Sequence, residues 1–426
     1  MLRADGASYS FWNPGSNCVG PPGAEGMMRP NCKLKAETKF ITVTYEEALD
    51  FNLDSLFAGG TTTGGGIDPA NLPEAKVNDK CQPIYPHQAL RVNTVGEIVV
   101  AAGKKTAYAD KHPAYDVVRG PSNTGLTTGY FPEINSIINA AGDDFTINVA
   151  TCKTYDQLHV NAFLDWLDGK VPEHSEDSLG GDIPTLFGGN FQSVSVGQKT
   201  KGYVAGSVAR SLDFSPDLKD AVQFVDDSLG AVIEKMKDKK IYDDSLIIVC
   251  SKHGQSPIDP TLFKEVDPDV FTKEIGVPTD FITFDDIALV FLTHHSDLNT
   301  AVANLKNHMS DLRIGEIIFG QEQIDLGFGD PTKDGSVPDI IVQPVHGTIY
   351  TTSKKKIAEH GGGTDDDRHV ACFAHNPKLK AKTFPDEMLT TQVAPTILKA
   401  LGLKPQALKG VQEEDTKPFP PFGDNK

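Results

Sequence analysis

The sequence predicts an α/β protein, a three-layer sandwich in which helices cover both faces of a largely parallel sheet. Short apolar runs of strand length recur along the chain from residue 106 onward. Stretches with a helical period lie between several of these runs. Strands that alternate with helices in this way favour parallel pairing and a sheet buried on both sides. At 426 residues the chain is long enough for a large domain of this kind.

The first 85 residues differ from the rest of the chain, because they are rich in Gly and Pro and only FITVTY, at 40–45, resembles a strand. We therefore expect an irregular N-terminal segment over 1–85 and an α/β domain over 86–426. Domains of this class normally open with a buried strand, so this start is consistent with a missing first core strand. The polar stretch at about 170–200 is compatible with an inserted loop or cap.

The helix predictions rest on capping residues and apolar periods. LRVNTVGEIVVAAG predicts a helix that ends at Gly103, and KKTAYAD predicts a strand that ends at Asp110. Ser215 is a good N-cap, and Pro216 suits the first helical position that follows it. The predicted apolar stripe of this helix consists of Leu218, Ala221, Val222, Val225, Leu229, Val232, Ile233 and Met236.

The strand predictions rest on short apolar runs. SLIIVC, which ends at Cys250, predicts a fully buried strand in which this cysteine is a small buried hydrophobe. Further strands are predicted at DIALVFLT, GEIIFG, PDIIVQPV and HVACFA. DLNTAVANLKNHMSDL predicts a helix between two of these strands, and TTQVAPTILKALGL predicts a closing helix.

Composition excludes several classes of partner. A formal net charge of −18 argues against a nucleic-acid polymer or an anionic membrane, but it leaves a small phosphate ester possible. No apolar stretch approaches the roughly 20 residues of a membrane span. The start MLRADGASYSFW has no visible secretory signal, which indicates an intracellular protein unless a preceding segment carries one. The six cysteines form no C-x-x-C pair, so a structural zinc site of that type is not expected.

Polar clusters stand beside four of the predicted strands. They are DKHPAY at 110–115, SKHGQSPID at 251–259, His346 with Gly347, and EHGGGTDDDRHV at 359–370. Ligands of open α/β sheets bind outside the carboxyl ends of the strands, so these clusters are the candidate site. The first cluster is explained nearly as well by a turn at Pro113.

Two of these clusters carry the candidate metal ligands. His253 follows a strand directly, and His360, Asp366 and His369 lie close together in the glycine-rich segment. Imidazole and carboxylate side chains together suit zinc or a similar divalent ion. The alternative for His253 is a hydrogen-bonded structural role, and the alternative for the acidic segment is a solvated turn.

At these residues the chain resembles the alkaline phosphatase superfamily, and within it the type I phosphodiesterase/nucleotide pyrophosphatase group. The resemblance extends through PGSNCVGPPG, YPHQALRVNT, DKHPAYDVVRGPS, FPEINS, NFQSVSVGQK, SKHGQSPID, EHGGGTDDDRHV and APTILKALGL. It implies metal-assisted hydrolysis of a small phosphate ester or diphosphate. It also implies two divalent ions, for which zinc is the expected metal, and a Ser or Thr nucleophile at a helix N-terminus.

Only part of the implied site has a match in this chain. His253 matches the His of an Asp-His-Gly motif, and His360 matches a late His-Gly. The early Asp and the nucleophile have no match, so a relative that keeps the fold and binds a ligand without turnover stays an alternative.

Lys252 stands where the motif has a metal-binding Asp. An ammonium group repels a dication, but it can bind a phosphoryl oxygen as a point charge. We therefore expect a site with one metal ion and a lysine. In it Lys252 contacts the phosphate, and His253, His360 and an Asp from 365–367 lie near the ion. The alternative is that Lys252 faces solvent or pairs with an Asp such as Asp259.

Overall fold

The computed structural model describes most of the chain after residue 84. The described residues are 85–175, 178–204, 213–256, 261–334, 337–354, 356–385 and 388–422, and, nearer the N-terminus, 9–12, 18–19, 33–34, 42–45, 56–57, 74–77 and 80–83. Asp259, one of the partners considered for Lys252, lies outside them.

The N-terminal part contains short strands in antiparallel pairs. In chain order these strands are β1 (Tyr9–Trp12), β2 (Cys18–Val19), β3 (Lys33–Leu34), β4 (Thr42–Tyr45), β5 (Glu74–Val77) and β6 (Lys80–Pro83). β1 pairs with β4, β2 with β3 and β5 with β6. The strand predicted at FITVTY is confirmed as β4, whereas the other short strands were not predicted.

Helices and strands alternate through the rest of the chain. In order the elements are α1 (Val95–Ala101), β7 (Thr106–Ala109), β8 (Thr128–Tyr130), α2 (Val149–Leu167), β9 (Leu186–Gly189), α3 (Ser193–Thr200), α4 (Pro216–Asp238), β10 (Ile247–Cys250), β11 (Lys264–Val266), α5 (Pro268–Ile275), β12 (Thr279–Phe284), β13 (Ala288–Leu292), α6 (Leu298–Asn307), β14 (Ile314–Phe319), α7 (Gln321–Asp325), β15 (Ile340–Pro344), β16 (Thr348–Tyr350), α8 (Asp365–Arg368), β17 (Cys372–His375), α9 (Val393–Ala400) and α10 (Lys409–Glu414).

A parallel sheet with the order β8-β7-β9 lies in the first half of the domain. α2 and α4 contribute to its core, in which Trp166 and Leu167 of α2 are fully buried beside Ala107 and Ala109 of β7. The predicted α/β class with parallel strands is confirmed. The stretch at about 170–200, considered as an inserted loop or cap, contains β9 and α3.

A second sheet has the order β12-β13-β15-β14 and is antiparallel throughout. Its buried residues Val290, Ile340 and Val342 pack in one cluster with Phe271 of α5 and Leu305 of α6. The predicted strands are therefore present, but strand–helix alternation did not predict their antiparallel pairing.

The helix α4 follows its predicted start. The Ser215 hydroxyl accepts a hydrogen bond from the Leu218 backbone N–H at 3.2 Å, and Pro216 is the first helical residue. Leu218, Val232 and Met236 of the predicted stripe are buried, whereas Val222 is exposed. No helix in the described part of the chain is both long and apolar enough to cross a membrane.

The prediction that SLIIVC is a fully buried strand is wrong. β10 pairs antiparallel with β17, all four residues of which are exposed. Ile247, Ile248 and Val249 are only half-buried, and Cys250 is exposed rather than a buried hydrophobe. The reason is that β17, the only strand that pairs with β10 among the described residues, is itself solvent-facing.

Candidate functional site

The candidate site lies at the polar end of a cavity of about 950 Å³. The cavity runs between β9 and β10, and α4 and α9 supply apolar side chains to its wall. Its polar end is lined by Lys111, Lys199, Lys252, His253, Gln255 and His360. These residues come from the ends of β7 and β10, from α3 and from the segment before α8, so chain segments far apart in sequence meet here.

Two histidines stack at the centre of this polar end. The ring centroids of His253 and His360 are 3.6 Å apart, with an angle of 28° between the ring planes. The predicted convergence of these two side chains is therefore confirmed. The Nδ1 of His253 is 2.7 Å from the Gly254 carbonyl oxygen, so Nδ1 carries the proton and donates, and Nε2 is left as an acceptor. The Nδ1 of His360 is buried and has no hydrogen-bond partner among the described residues.

Both imidazoles are held in the neutral form. The pKa of His253 is lowered from 6.5 to about 4, mainly by burial; the Gly254 carbonyl opposes this effect, and the ammonium groups of Lys252, Lys199 and Lys111 contribute to it. Burial also lowers the pKa of His360, and the same lysines and the neighbouring imidazole add to this effect. The charged form of a buried imidazole is disfavoured both by lost hydration and by nearby positive charge.

The lysines of the site are positioned by specific contacts. The Lys252 ammonium group donates a hydrogen bond to the Tyr115 hydroxyl and lies 4.3 Å from the centroid of the Tyr115 ring. The Lys252 side chain therefore points to an aromatic residue and not to solvent, which was one of the alternatives considered for it. Lys199 donates to the Glu359 carboxylate at 2.6 Å, and Lys356 approaches the same carboxylate at 2.6 Å.

Two close backbone contacts hold the loop after β10 against the segment that carries His360. The Gly254 N–H donates to the Asp367 carbonyl oxygen at 2.7 Å, and Ser256 and Glu359 exchange backbone hydrogen bonds of 2.8 and 2.9 Å. A Cβ atom at position 254 would lie 1.8 Å from the Asp366 carbonyl oxygen, so only glycine fits here. These contacts hold the His253 ring beside the His360 ring.

The other predicted ligands, Asp366 and His369, have different environments. The Asp366 carboxylate accepts a hydrogen bond from Nε2 of His346 at 2.6 Å, so two further candidate residues are brought together. The His369 side chain is exposed, and its backbone N–H bonds to the Asp365 carbonyl oxygen at 2.8 Å. The Asp365 side chain is 92% exposed.

Asp110 and His112 of the first cluster contact neighbouring protein groups, whereas Lys111 of the same cluster lines the cavity. Asp110 is fully buried, and its carboxylate accepts hydrogen bonds from the Tyr108 hydroxyl at 2.9 Å and the Lys111 backbone N–H at 2.8 Å. His112 is buried and bonds to the Glu133 carboxylate through Nδ1 at 2.7 Å.

A buried carboxyl pair supports the glycine-rich segment. Asp286 and Asp367 are both buried, and Asp286 accepts a hydrogen bond from the Gly362 N–H at 2.9 Å while Asp367 accepts one from the Thr364 hydroxyl at 2.6 Å. Burial raises the pKa of Asp286 well above its ordinary value, and the adjacent Asp367 raises it further. Burial also raises the pKa of Asp367, so the two carboxyl groups share a proton.

Sequence reasoning missed two lysines of the site. Lys111 stands next to Asp110 at a strand end, and this position could have marked it as a site residue. Lys199 lies in the last turn of α3, where a lysine is expected in any case for its favourable interaction with the helix dipole. It ends the stretch NFQSVSVGQK, which carries the resemblance, but nothing in that stretch marked the lysine itself as a site residue.

The donor arrangement does not fit the two-ion site implied by the resemblance. Zinc ligands point at a common ion from different directions, whereas the in-plane lone pairs of stacked imidazoles run side by side. Within the described stretches, no group of three or more His, Cys, Asp or Glu side chains is placed to hold a metal ion. Three lysine ammonium groups also act on the imidazoles and would repel a dication.

Several solved structures resemble this chain at low sequence identity. Human ectonucleotide pyrophosphatase/phosphodiesterase 5 is 15% identical, with 76% of this chain and 71% of that chain covered and a TM-score of 0.45. An inactive form of the murine enzyme in complex with AMP is 16% identical, with the same coverage and a TM-score of 0.46. Phosphonoacetate hydrolase from Sinorhizobium meliloti, in complex with phosphonoacetate, is 12% identical over 91% of this chain and 79% of that chain, with a TM-score of 0.45.

The family is decided by the sequence itself. No curated protein matches the chain. The family model described as type I phosphodiesterase/nucleotide pyrophosphatase matches residues 10–366, which is most of the sequence. The chain therefore belongs to the type I phosphodiesterase/nucleotide pyrophosphatase family.

Proposed function

We propose that this protein hydrolyses phosphate ester or diphosphate bonds in a small substrate, whose phosphoryl group binds at the polar end of the cavity. The observation that carries the proposal is the cluster of Lys111, Lys199 and Lys252 around two neutral imidazoles. The chain as a whole has a net charge of −18, so the positive charge at this end of the cavity is local and does not follow from the overall composition. The family match supports phosphoester hydrolysis as the reaction class.

The charges of the site suit a phosphoryl group in particular. A lysine ammonium group binds a phosphoryl oxygen as a point charge and offsets the negative charge that the group carries. A bound phosphoryl dianion would also raise the pKa of His253 and His360, because it opposes the effect of the lysines. The imidazoles would then become better proton acceptors only when the substrate is present, and Nε2 of His253 is the nitrogen left as an acceptor.

Members of this family are generally metal-dependent. For a single zinc-like ion we propose His253 and His360 as ligands, with Lys252 in the electrostatic role of a second ion, and this arrangement requires the two stacked rings to turn towards a common point. Asp366 or His369 would have to leave its observed position to complete the ligand set. Elemental analysis of the purified protein tests this arrangement, since two equivalents of zinc or manganese per chain would contradict it.

The second candidate function is ligand binding without turnover. Two observations favour it: no residue matches the family nucleophile, and the imidazole rings stack on each other instead of facing a common ion. In this case the lysine cluster would bind a small phosphate compound, and no bond would be broken.

Binding and turnover are measured separately. Calorimetric titration with inorganic phosphate measures binding, and release of nitrophenol from bis(p-nitrophenyl) phosphate, with and without added zinc, measures turnover. Lys252→Met removes a charge-assisted contact worth about 1.5–3 kcal/mol, which predicts phosphate binding weaker by at least about tenfold. The matched control Lys273→Met removes a side chain that is 83% exposed and should leave binding unchanged.

Three outcomes are distinguishable. Turnover that Lys252→Met lowers and Lys273→Met preserves supports the hydrolase. Phosphate binding without turnover leaves the second candidate. If Lys252→Met binds phosphate as tightly as the unaltered protein, the lysine cluster is not the phosphoryl site and both functions lose their support.

A further inference from the structure

The strands β10 and β17 place two cysteines directly opposite each other. Cys250 and Cys372 are partners in the antiparallel register of these strands. The Ser251 N–H donates to the Ala371 carbonyl oxygen at 3.0 Å, so the next pair along is hydrogen-bonded and the cysteine pair occupies a non-hydrogen-bonded position. Such pairs have Cα atoms about 4.5 Å apart and side chains on the same face, which lies within the range that a disulfide spans.

The two side chains already interact. The two thiols lie close enough to act on each other's ionisation, as expected for side chains at directly opposite positions of the two strands. Both residues are free and exposed, so a small reagent can reach them. The third free cysteine described, Cys152, is buried in α2 and provides an internal contrast.

We propose that Cys250 and Cys372 form a reversible disulfide by exchange with a low-molecular-weight disulfide. The Cys372 thiolate attacks one sulfur of the small disulfide, a mixed disulfide forms, and one small thiolate leaves. The Cys250 thiolate then attacks the Cys372 sulfur and displaces the second small thiol. The protein loses two protons and two electrons, and the small disulfide gains the electrons and becomes two thiols.

The bond would join the two segments that carry the candidate site. β10 leads directly into Lys252 and His253, and β17 follows the segment that contains His360. Oxidation would therefore fix these two segments to each other at one end. Neither thiol takes part in the proposed phosphate binding, so this inference does not depend on the proposed function.

The raised pKa values of both thiols predict how the exchange responds to pH. Removal from water raises the pKa of Cys250, and the adjacent Cys372 adds to this rise. Removal from water also raises the pKa of Cys372, which the hydrogen bond from Cys250 partly offsets. Because the thiolate is the attacking species, exchange should speed up as the pH is raised above neutrality.

The test uses the full-length protein and oxidised glutathione. The reduced protein is incubated with oxidised glutathione, remaining thiols are alkylated, and a non-reducing digest is analysed by mass spectrometry. We expect a peptide that joins Cys250 to Cys372, lighter by two hydrogen atoms than its separate halves, and recovery of both thiols with dithiothreitol. Cys152 should remain reduced throughout. Cys152→Ser is the matched control and should give the same joined peptide.

Single-cysteine variants complete the experiment. Cys250→Ser and Cys372→Ser should each stop at the mixed disulfide with glutathione and yield no joined peptide. Three results would overturn the proposal: thiols that stay reduced, cysteines that are only capped separately by glutathione in the unaltered protein, or joining of either one to Cys18, Cys32 or Cys81.

Discussion

The stacked histidines should make the folded protein sensitive to acid. Protonation of His253 requires a charge to be placed in a buried position beside another imidazole and three lysines. Its pKa is about 4 in the folded state, against an ordinary value of 6.5. Between these two values the unfolded chain binds more protons than the folded protein, so stability is complete above about pH 6.5 and falls as the pH drops towards 4.

The size of this effect follows from the difference in pKa. Each pKa unit corresponds to about 1.4 kcal/mol, so the full difference for His253 is about 3 kcal/mol. At about pH 5 roughly 2 kcal/mol of this stability should be lost relative to about pH 8. The pKa of His360 is lowered as well, so the second histidine adds a loss in the same direction.

Urea unfolding followed by tryptophan fluorescence measures this loss, and the fully buried Trp166 serves as the reporter. The double variant His253→Gln/His360→Gln lacks both titrating groups. Between pH 8 and pH 5 its free energy of unfolding should therefore change by at least about 2 kcal/mol less than that of the unaltered protein. His294→Gln, which changes an exposed histidine, should follow the unaltered protein. Equal pH dependence of the double variant and the unaltered protein would refute the reasoning, because the imidazoles would then titrate alike in both states.

A substitution at Gly254 should destabilise the protein, and a substitution in the buried carboxyl pair should stabilise it at about pH 8. Gly254→Ala places a Cβ atom 1.8 Å from a carbonyl oxygen, so we expect a loss of several kcal/mol in urea unfolding and loss of phosphate binding. Gly230→Ala, the control, lies in an open position on α4 and should instead stabilise the protein by about 0.5–1 kcal/mol. An equal loss of stability in both variants would show that the close contact at position 254 is not the cause. Asp286→Asn supplies a permanent N–H to the Asp367 carboxylate, and because the raised pKa values of this pair cost stability as the pH rises, we expect a gain in the free energy of unfolding at about pH 8 of about 1.4 kcal/mol for each pKa unit of that rise. The gain should shrink as the pH falls, and a variant less stable than the unaltered protein at about pH 8 would contradict the shared proton.

Local features of the fold could be predicted because their causes lie within a few residues. The start of α4 at Ser215 depends on one hydroxyl and the following proline, and both are visible in the sequence. The strand that ends before Asp110 depends on an apolar run and the polar residues after it. The convergence of His253 and His360 was predicted because both stand beside strands, and strand ends of one sheet meet at one edge.

Other features depend on how distant segments pack. No local rule assigns Lys199 to the candidate site, because its position follows from α3 packing beside the loop that Gln255 anchors through the Ser195 hydroxyl at 3.0 Å. The partner of Asp286 could not be predicted either, since Asp367 reaches it only when the glycine-rich segment folds back. The two carboxyl groups are 81 residues apart in sequence, and nothing near either one indicates a buried position.

The sequence by itself determined the class of fold, the family, and the two histidines on which the site is centred, because apolar periods, capping residues and motifs are written in short stretches of chain. Only the tertiary structure decided that β10 is no more than half-buried, that Cys250 faces Cys372, and that three lysines surround the imidazoles. The pairing of β10 with β17 joins segments more than a hundred residues apart, which no local pattern specifies. The charge around a buried side chain likewise depends on which distant segments pack beside it.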